Sequence, residues 1–301
     1  MCVGSRKSPL SVIILSMSLS KKPDATTIDG MIVQYQAGAN YKELAKPFNV
    51  HHTSVMNWLR AIPGFRARTA AEHHRIHQLR QDYFDKIDTQ EKAYLLGLLF
   101  ADGCNTSKFI SLDLLDEELV IAFRDSICPS KTQPVFIRIA QKNSYGPGGR
   151  SVFCCRPTSV YLCQSLARQG MVPKKSLILK FPGTDVVPEE LQRHFIRGYF
   201  DGDGCVSFTF ERRCPSYAKF SWRMVGTKDF LSVVGEVVKK ATNVNYSIRK
   251  MRSIFDLYIS GNRQVSLVRD WMYADSTISL KRKKDKLDQI VLKRSYGPRE
   301  N

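Results

Sequence analysis

The 301-residue chain has no apolar run near the roughly 20 residues that a membrane-spanning helix requires. None of its eight cysteines forms a Cys-x-x-Cys pair, which removes the usual zinc and dithiol motifs. Cys104, Cys128, Cys163 and Cys205 fall in apolar stretches, and Cys154 and Cys155 are adjacent. The expectation is therefore reduced, buried thiols in a reducing compartment, cytoplasm or organelle, and no disulfide framework. Acids are scarce. Lys and Arg number 46 against 28 Asp and Glu, a net charge of +18. The first 23 residues contain no acid and six serines. Their short LSVIIL stretch lacks an A-x-A-like cleavage site, so residues 1–24 read as a disordered leader, with Met17 as a second start.

What is present is a strong positive surplus on an otherwise ordinary globular composition, 43% hydrophobic and 25% charged. A folded chain with that surplus favours a polyanion as partner, through phosphate contacts and counterion release. No long basic amphipathic helix directs it to a membrane surface. The length suffices for two domains with real cores, or for one domain and a duplicated one.

Residues 25–62 read as a small all-α module. Ile28, Ile32 and Tyr35 recur at helical spacing and Gly38 stops that helix. Asn40 can cap a second helix carrying Leu44 and Ala45, and Phe48-Asn49-Val50 makes a tight turn with Asn49 left-handed. A third helix, His52 to Arg60, buries Val55, Trp58 and Leu59 and exposes Thr53, Ser54, Asn57 and Arg60. This segment resembles the helix-turn-helix of resolvases, transposases and related bacterial regulators, whose last helix enters the major groove. Pro47, which shortens the second helix, and His51, where a Ser or Thr cap is usual, depart from that pattern. Residues 63–90 then read as a solvated helical linker, in which Glu72, His73 and His77 have metal-ligand spacing but no further ligand nearby.

The remainder repeats. In the first copy (91–188) a helix at 91–102 is followed by a strand pair within 105–114. A helix at 116–127, strands near 132–141 and 150–156, and a helix at 158–169 come next. The second copy (189–292) has a helix at 190–203, strands 205–211 and 217–225, and a helix at 228–241. Strands 245–251 and 254–260 and a helix at 262–273 complete it, before a basic tail at 293–301. The order α-β-β-α-β-β-α thus occurs twice, and Asp203 follows Asp102 by 101 residues. Duplication implies two lobes related by pseudo-twofold symmetry, which suits a duplex with two half-sites.

Gly97 and Ala101 lie four apart on one helical face, as do Gly198 and Gly202, so the two helices can pack backbone to backbone. That contact would bring Asp102 and Asp203 side by side, each at the negative end of its helix dipole, with Gly103 and Gly204 ending the helices. Two adjacent carboxylates repel. A bound Mg²⁺, completed by water and phosphate, would reverse the sign and serve phosphodiester hydrolysis.

LLGLLFADG (95–103) and IRGYFDGDG (196–204) resemble the LAGLIDADG motif of homing endonucleases, over roughly residues 90–290. GMVPKKSLILKFP (170–182) is similar to the junction between lobes of single-chain members, and MYADSTISLKRKKDK (272–286) to their C-terminal segment. The resemblance implies an α+β fold, two duplicated lobes forming a saddle of antiparallel strands on DNA, preceded here by the helix-turn-helix. It implies a site-specific double-strand endodeoxyribonuclease, with Asp102 and Asp203 catalytic and the metal held by Asp102, Asp203, Gly103 and Gly204. It also implies Mg²⁺ (or Mn²⁺) as cofactor and a basic residue supporting each half-site. Lys175 and Lys283 are the nearest matches, with Lys174 and Arg282 as neighbours. The first motif acid is Phe100 in one copy and Asp201 in the other.

Period-two alternation puts a polar set on one sheet face to read bases. In the second copy this is Ser207, Thr209 and Glu211, ending in Arg212 and Arg213, then Lys219, Ser221, Arg223 and Arg249. Arg138 and Lys142 are the first copy's members, and that copy's first hairpin, CNTSKFISLDL (104–114), is short and less basic, so readout should be asymmetric. The expected partner is a long pseudo-palindromic or asymmetric duplex bound by a monomer, with intron RNA as a further partner of maturase-like relatives. A non-enzymatic DNA-binding regulator on the same scaffold is the competing reading.

Overall fold

A computed structural model describes residues 22–36, 38–69, 77–141, 148–211 and 214–291. Residues 1–21 of the expected leader, the basic tail, Glu72, His73 and Lys142 lie outside them. The chain divides into two compact units, Met1–Ile76 and His77–Asn301.

The first unit contains helices α1 (Ala25–Gln36), α2 (Tyr41–Ala45) and α3 (His52–Arg60). Asn40 forms a capping box with Glu43, accepting from the Lys42 and Glu43 amides. Pro47 does not break the chain, because α2 passes into a 3-10 turn, Lys46–Phe48, whose first residues need no amide donor. Asn49 then takes the left-handed conformation at φ 50° and turns the chain into α3. Ile28, Met31, Tyr35, Leu44, Ala45, Val55 and Leu59 form a separate small core.

The second unit is the expected duplication. Its first lobe runs α4 (Gln90–Asp102), β1 (Gly103–Asn105), β2 (Ile110–Leu114), α5 (Glu117–Ile127), β3 (Val135–Ile139), β4 (Ser151–Cys155) and α6 (Val160–Arg168). The second runs α7 (Gln192–Asp203), β5 (Gly204–Glu211), β6 (Cys214–Gly226), α8 (Lys228–Thr242), β7 (Ser247–Met251), β8 (Ile254–Ser260) and α9 (Asn262–Tyr273), followed by α10 (Lys281–Asp288). Each lobe holds a four-stranded antiparallel sheet, ordered β1-β2-β4-β3 and β5-β6-β8-β7. Gly103 pairs with Leu112 and Gly204 with Met224, so the two copies share one register beyond the motif. Helices cover one face of each sheet. Among the described residues no helix is long and apolar enough to cross a membrane.

Three expectations change. The stretch 77–89 is a run of turns and not a solvated helix, because Tyr83, Phe84 and Ile87 are buried in the main core. Asp85 ties it further to the first lobe, accepting from Ser165, Tyr161 and Arg168. Cys104 and Cys205 are exposed, whereas Cys128, Cys154, Cys155 and Cys163 are buried. The first two follow Gly103 and Gly204, where alternation turns them to the open sheet face. Gly103 and Gly204 end their helices with extended backbones, φ −73° and −94°, not as left-handed caps. Glycine is needed there for space. A methyl at Gly103 would strike the Leu99 backbone and Met171, and one at Gly204 the Phe200 ring.

Candidate active site and nucleic-acid interface

Helices α4 and α7 meet along their glycines. A methyl on Gly97 would land on the Phe195 carbonyl, and one on Gly198 on the Tyr94 carbonyl. At the next turn a methyl on Gly202 would strike the Ala101 side chain and the Asp102 carboxylate. Gly97, Ala101, Gly198 and Gly202 therefore all serve the lobe interface, and the contact brings the two motif ends together.

Asp102 keeps an exposed surface and Asp203 is half-buried. The protein packed around Asp102, and then the charge of Asp203, push its carboxyl up to about 6. Burial raises Asp203 as well, against the opposing pull of Lys175, Lys283 and the Tyr199 hydroxyl. Oxygen donors held together at some electrostatic cost fit a hard divalent cation. Among the described residues there is no group of three His, Cys, Asp or Glu side chains that could hold one, so water and phosphate would have to complete the shell.

Both lysines lie beneath the motif ends and are buried. Lys175 Nζ donates to the Ala101 carbonyl at 3.1 Å. Lys283 Nζ lies within reach of four carbonyls, Phe200 (2.7 Å), Asp201 (2.8 Å), Gly202 (3.2 Å) and Gly204 (2.6 Å). Both cations thus neutralise the negative end of a helix dipole. Burial draws Lys283 down to about 8. The Gly204 carbonyl is occupied by that ammonium. Lys174 is left-handed at φ 57°, and Arg282 turns away to grip Asp116 of the first lobe through Nε and Nη2, both at 2.8 Å.

Asp201 is a structural joint. Its Oδ2 accepts from Tyr94 Oη of the first lobe and from the Leu280 amide of the C-terminal segment, both at 2.7 Å. It therefore ties both lobes to the segment that delivers Lys283. Next to it the fully buried Arg197 donates to the Ile278 and Met272 carbonyls and contacts His194 Nδ1 at 2.7 Å. Phe100, the twin of Asp201, instead packs edge-on against Phe195 and beneath Gly170. The sequence marked the Phe100–Asp201 difference but not Tyr94, whose partner lies 107 residues away.

On the second sheet, register puts Cys205, Ser207 and Thr209 on the same face as Lys219, Ser221 and Arg223, and as Arg249 of β7. The opposite face carries Trp222, Met224, Leu257 and Ile259 into the core. Thr209, Lys219 and Arg249 are exposed, and Ser207 and Ser221 hydrogen-bond each other at 2.8 Å. Glu211 closes β5, while Arg212 and Arg213 lie outside the described residues. On the first sheet Arg138 is exposed and reaches Asp113 at 3.4 Å. Sequence reading missed Arg156, Asp113 and Asp256. Arg156 and Asp113 make an ion pair at 2.8 Å, and Asp256 receives Arg223 on both oxygens. In the first unit Thr53, Asn57 and Arg60 are exposed on α3 and Ser54 is half-buried.

Residues 190–271 match the protein-family model described as a LAGLIDADG-like domain. No curated protein matches the chain. Among solved structures, the homing endonuclease I-WcaI bound to its DNA recognition sequence is similar at 12% identity and TM-score 0.49, over 69% of this chain and 91% of its own. Full-length DUF199/WhiA from Thermatoga maritima is similar at 16% identity and TM-score 0.41, over 70% and 64%. The LAGLIDADG meganuclease I-AabMI bound to uncleaved DNA is similar at 11% identity and TM-score 0.43, over 67% and 88%. With the family match falling on the second lobe, in which Asp203 ends a helix packed against its twin, this chain carries a LAGLIDADG-like domain.

Proposed function

We propose that the chain is a site-specific double-strand DNA endonuclease of the homing type, in which Asp102 and Asp203 hold divalent metal at the scissile phosphates. The observation that carries this reading is the meeting of two helix ends, each closing on a carboxylate, with a buried lysine under each. Mg²⁺ or Mn²⁺, when bound, supplies Lewis acidity and a more acidic water. The chain's own part is positional. The glycine contact fixes the spacing of the carboxylates, and Lys175 and Lys283 anchor the helix ends that bear them. The open sheet faces, rich in Thr, Ser, Lys and Arg, lie along the duplex. The +18 charge supplies the phosphate attraction. The three-helix first unit serves as a helix-turn-helix reader, with Thr53, Ser54, Asn57 and Arg60 toward the major groove.

The test is a cleavage screen against a randomised duplex library with Mg²⁺. Wild type should cut both strands of selected targets. Asp102→Asn and Asp203→Asn should each lose roughly a hundredfold or more in cutting while retaining binding. Undiminished cutting of both strands by both variants would remove the assignment. The Gly204 carbonyl is held by Lys283 Nζ at 2.6 Å and so withdrawn from a metal, which favours a second reading, a binding-only regulator on this scaffold. It predicts target binding with no metal-dependent nicking.

A further inference from the structure

Each lobe locks one guanidinium against its own sheet in the first cross-strand row past the paired aspartates. In the second lobe that row contains Cys205, Arg223 and Tyr258. In the first it contains Cys104 and Ser111, and Arg156 extends β4 opposite Ser111. The rows are equivalent, because Gly103 and Gly204 take matching partners one residue earlier. The arginine has simply changed strand between the copies.

The manner of fixing is the same. Arg223 Nε reaches the Asp256 oxygens at 3.1 and 3.2 Å, and its Nη2 reaches Oδ2 at 2.8 Å. Asp256 is 1% exposed, so this carboxylate is a firm anchor. Nη2 also rests on Met251 Sδ at 3.4 Å, a weak acceptor that a better one would displace. Arg156 Nε donates to Ser111 Oγ at 3.2 Å and its Nη2 to Asp113 Oδ2 at 2.8 Å. Each guanidinium lies near an aromatic ring, Tyr258 at 6.0 Å and Phe136 at 5.1 Å. Among the described residues, neither Nη1 has a protein partner.

A guanidinium held along one edge offers the other edge in a single orientation, with little rotamer entropy left to lose on binding. The free edge is two donors side by side. Of the base edges in a major groove, guanine alone answers it with two acceptors, O6 and N7. Phosphate would also accept such a fork. These side chains, however, are 41% and 33% exposed and braced on the sheet, unlike free rim cations.

We propose that Arg156 and Arg223 are paired guanine readers, one for each half of the bound duplex and close to its centre. The proposal rests on the DNA-binding reading above, and it adds which bases are read and by which groups.

Selection of bound duplexes from a randomised pool, in Ca²⁺ to suppress cutting, tests it. Wild type should enrich a guanine at one position in each half. Arg223→Ala should flatten the preference in one half only and Arg156→Ala in the other, each by roughly tenfold or more. Arg223→Lys, which keeps charge without the fork, should also flatten it. The double variant Arg223→Ala with Asp256→Asn removes the stranded buried charge and should behave like Arg223→Ala, with thermal melting reporting the fold. Unchanged guanine preference in these variants overturns the proposal. So does a uniform loss across all sequences with a shallower salt dependence, the mark of a phosphate contact. A wild-type chain that binds no duplex overturns the parent reading too, whereas binding without the guanines overturns this proposal alone.

Discussion

In the second lobe β5 and β6 run for 8 and 13 residues, whereas β1 and β2 run for 3 and 5. Lys283 reaches four carbonyls where Lys175 reaches one, and Asp201 joins three segments where Phe100 fills a space. The family match, residues 190–271, also falls on the second lobe. The copies nevertheless agree at Gly97 and Gly198, at Asp102 and Asp203, and in the register beyond them. What is shared is what the backbone contact requires. What differs is how firmly each half is tied down, and that can vary because one well-anchored lobe can position its neighbour across a rigid helix pair.

The shared part should break equally. Gly97→Ala and Gly198→Ala each place a methyl on a carbonyl of the other helix, so both should lose about 3 kcal/mol in denaturant unfolding. A large inequality between them would show that the contact is not symmetric.

The unshared part should break unequally. Lys283→Met orphans a set of buried carbonyls and should cost about 3 kcal/mol, against about 1 kcal/mol for Lys175→Met. Equal losses would erase the difference in anchoring. Asp201→Leu strands the Tyr94 hydroxyl and the Leu280 amide and should cost about 2 kcal/mol, most of it restored by Asp201→Asn. Phe100→Leu, which removes no polar partner, should cost about 1 kcal/mol.

The smallest effect carries a sign. Asp102 is raised from 3.8 to about 6, so metal-free folded protein prefers its protonated form. That preference stabilises fully below pH 3.8 and is lost as pH rises through 6. Asp102→Asn should therefore gain stability at pH 7, about 1 kcal/mol after allowing for its solvent contact. It should also flatten the pH dependence between 4 and 6 in thermal melts without metal. His194, buried beside Arg197 and drawn down to about 4, acts oppositely. Its stabilising contribution is present above pH 6.5 and is lost as pH falls through 4.

Much of this was legible because it is local or periodic. The strands near 205–211 and 254–260 alternate, and the helix at 262–273 matches its expected span. The motif glycines announced a close contact that the structure contains. Residues 77–89 were misread because a polar, helix-prone stretch conceals three anchoring residues, Tyr83, Phe84 and Ile87. Asp256 was missed because its value lies in Arg223, on a neighbouring strand 33 residues away. Cys104 and Cys205 looked like core residues since apolar neighbours surround them in sequence, while alternation turns them to the open side.

The sequence by itself determined the duplication, the helix pair and the placing of an aspartate at each helix end. Spacing of small and apolar residues sets helix faces, and faces set which helices can touch. Only the tertiary structure decided which charges those aspartates feel, which carbonyls the lysines hold, and which arginines are locked. Those depend on distances between segments far apart in the chain, and electrostatic and hydrogen-bond energies follow distance and burial, not order along the sequence.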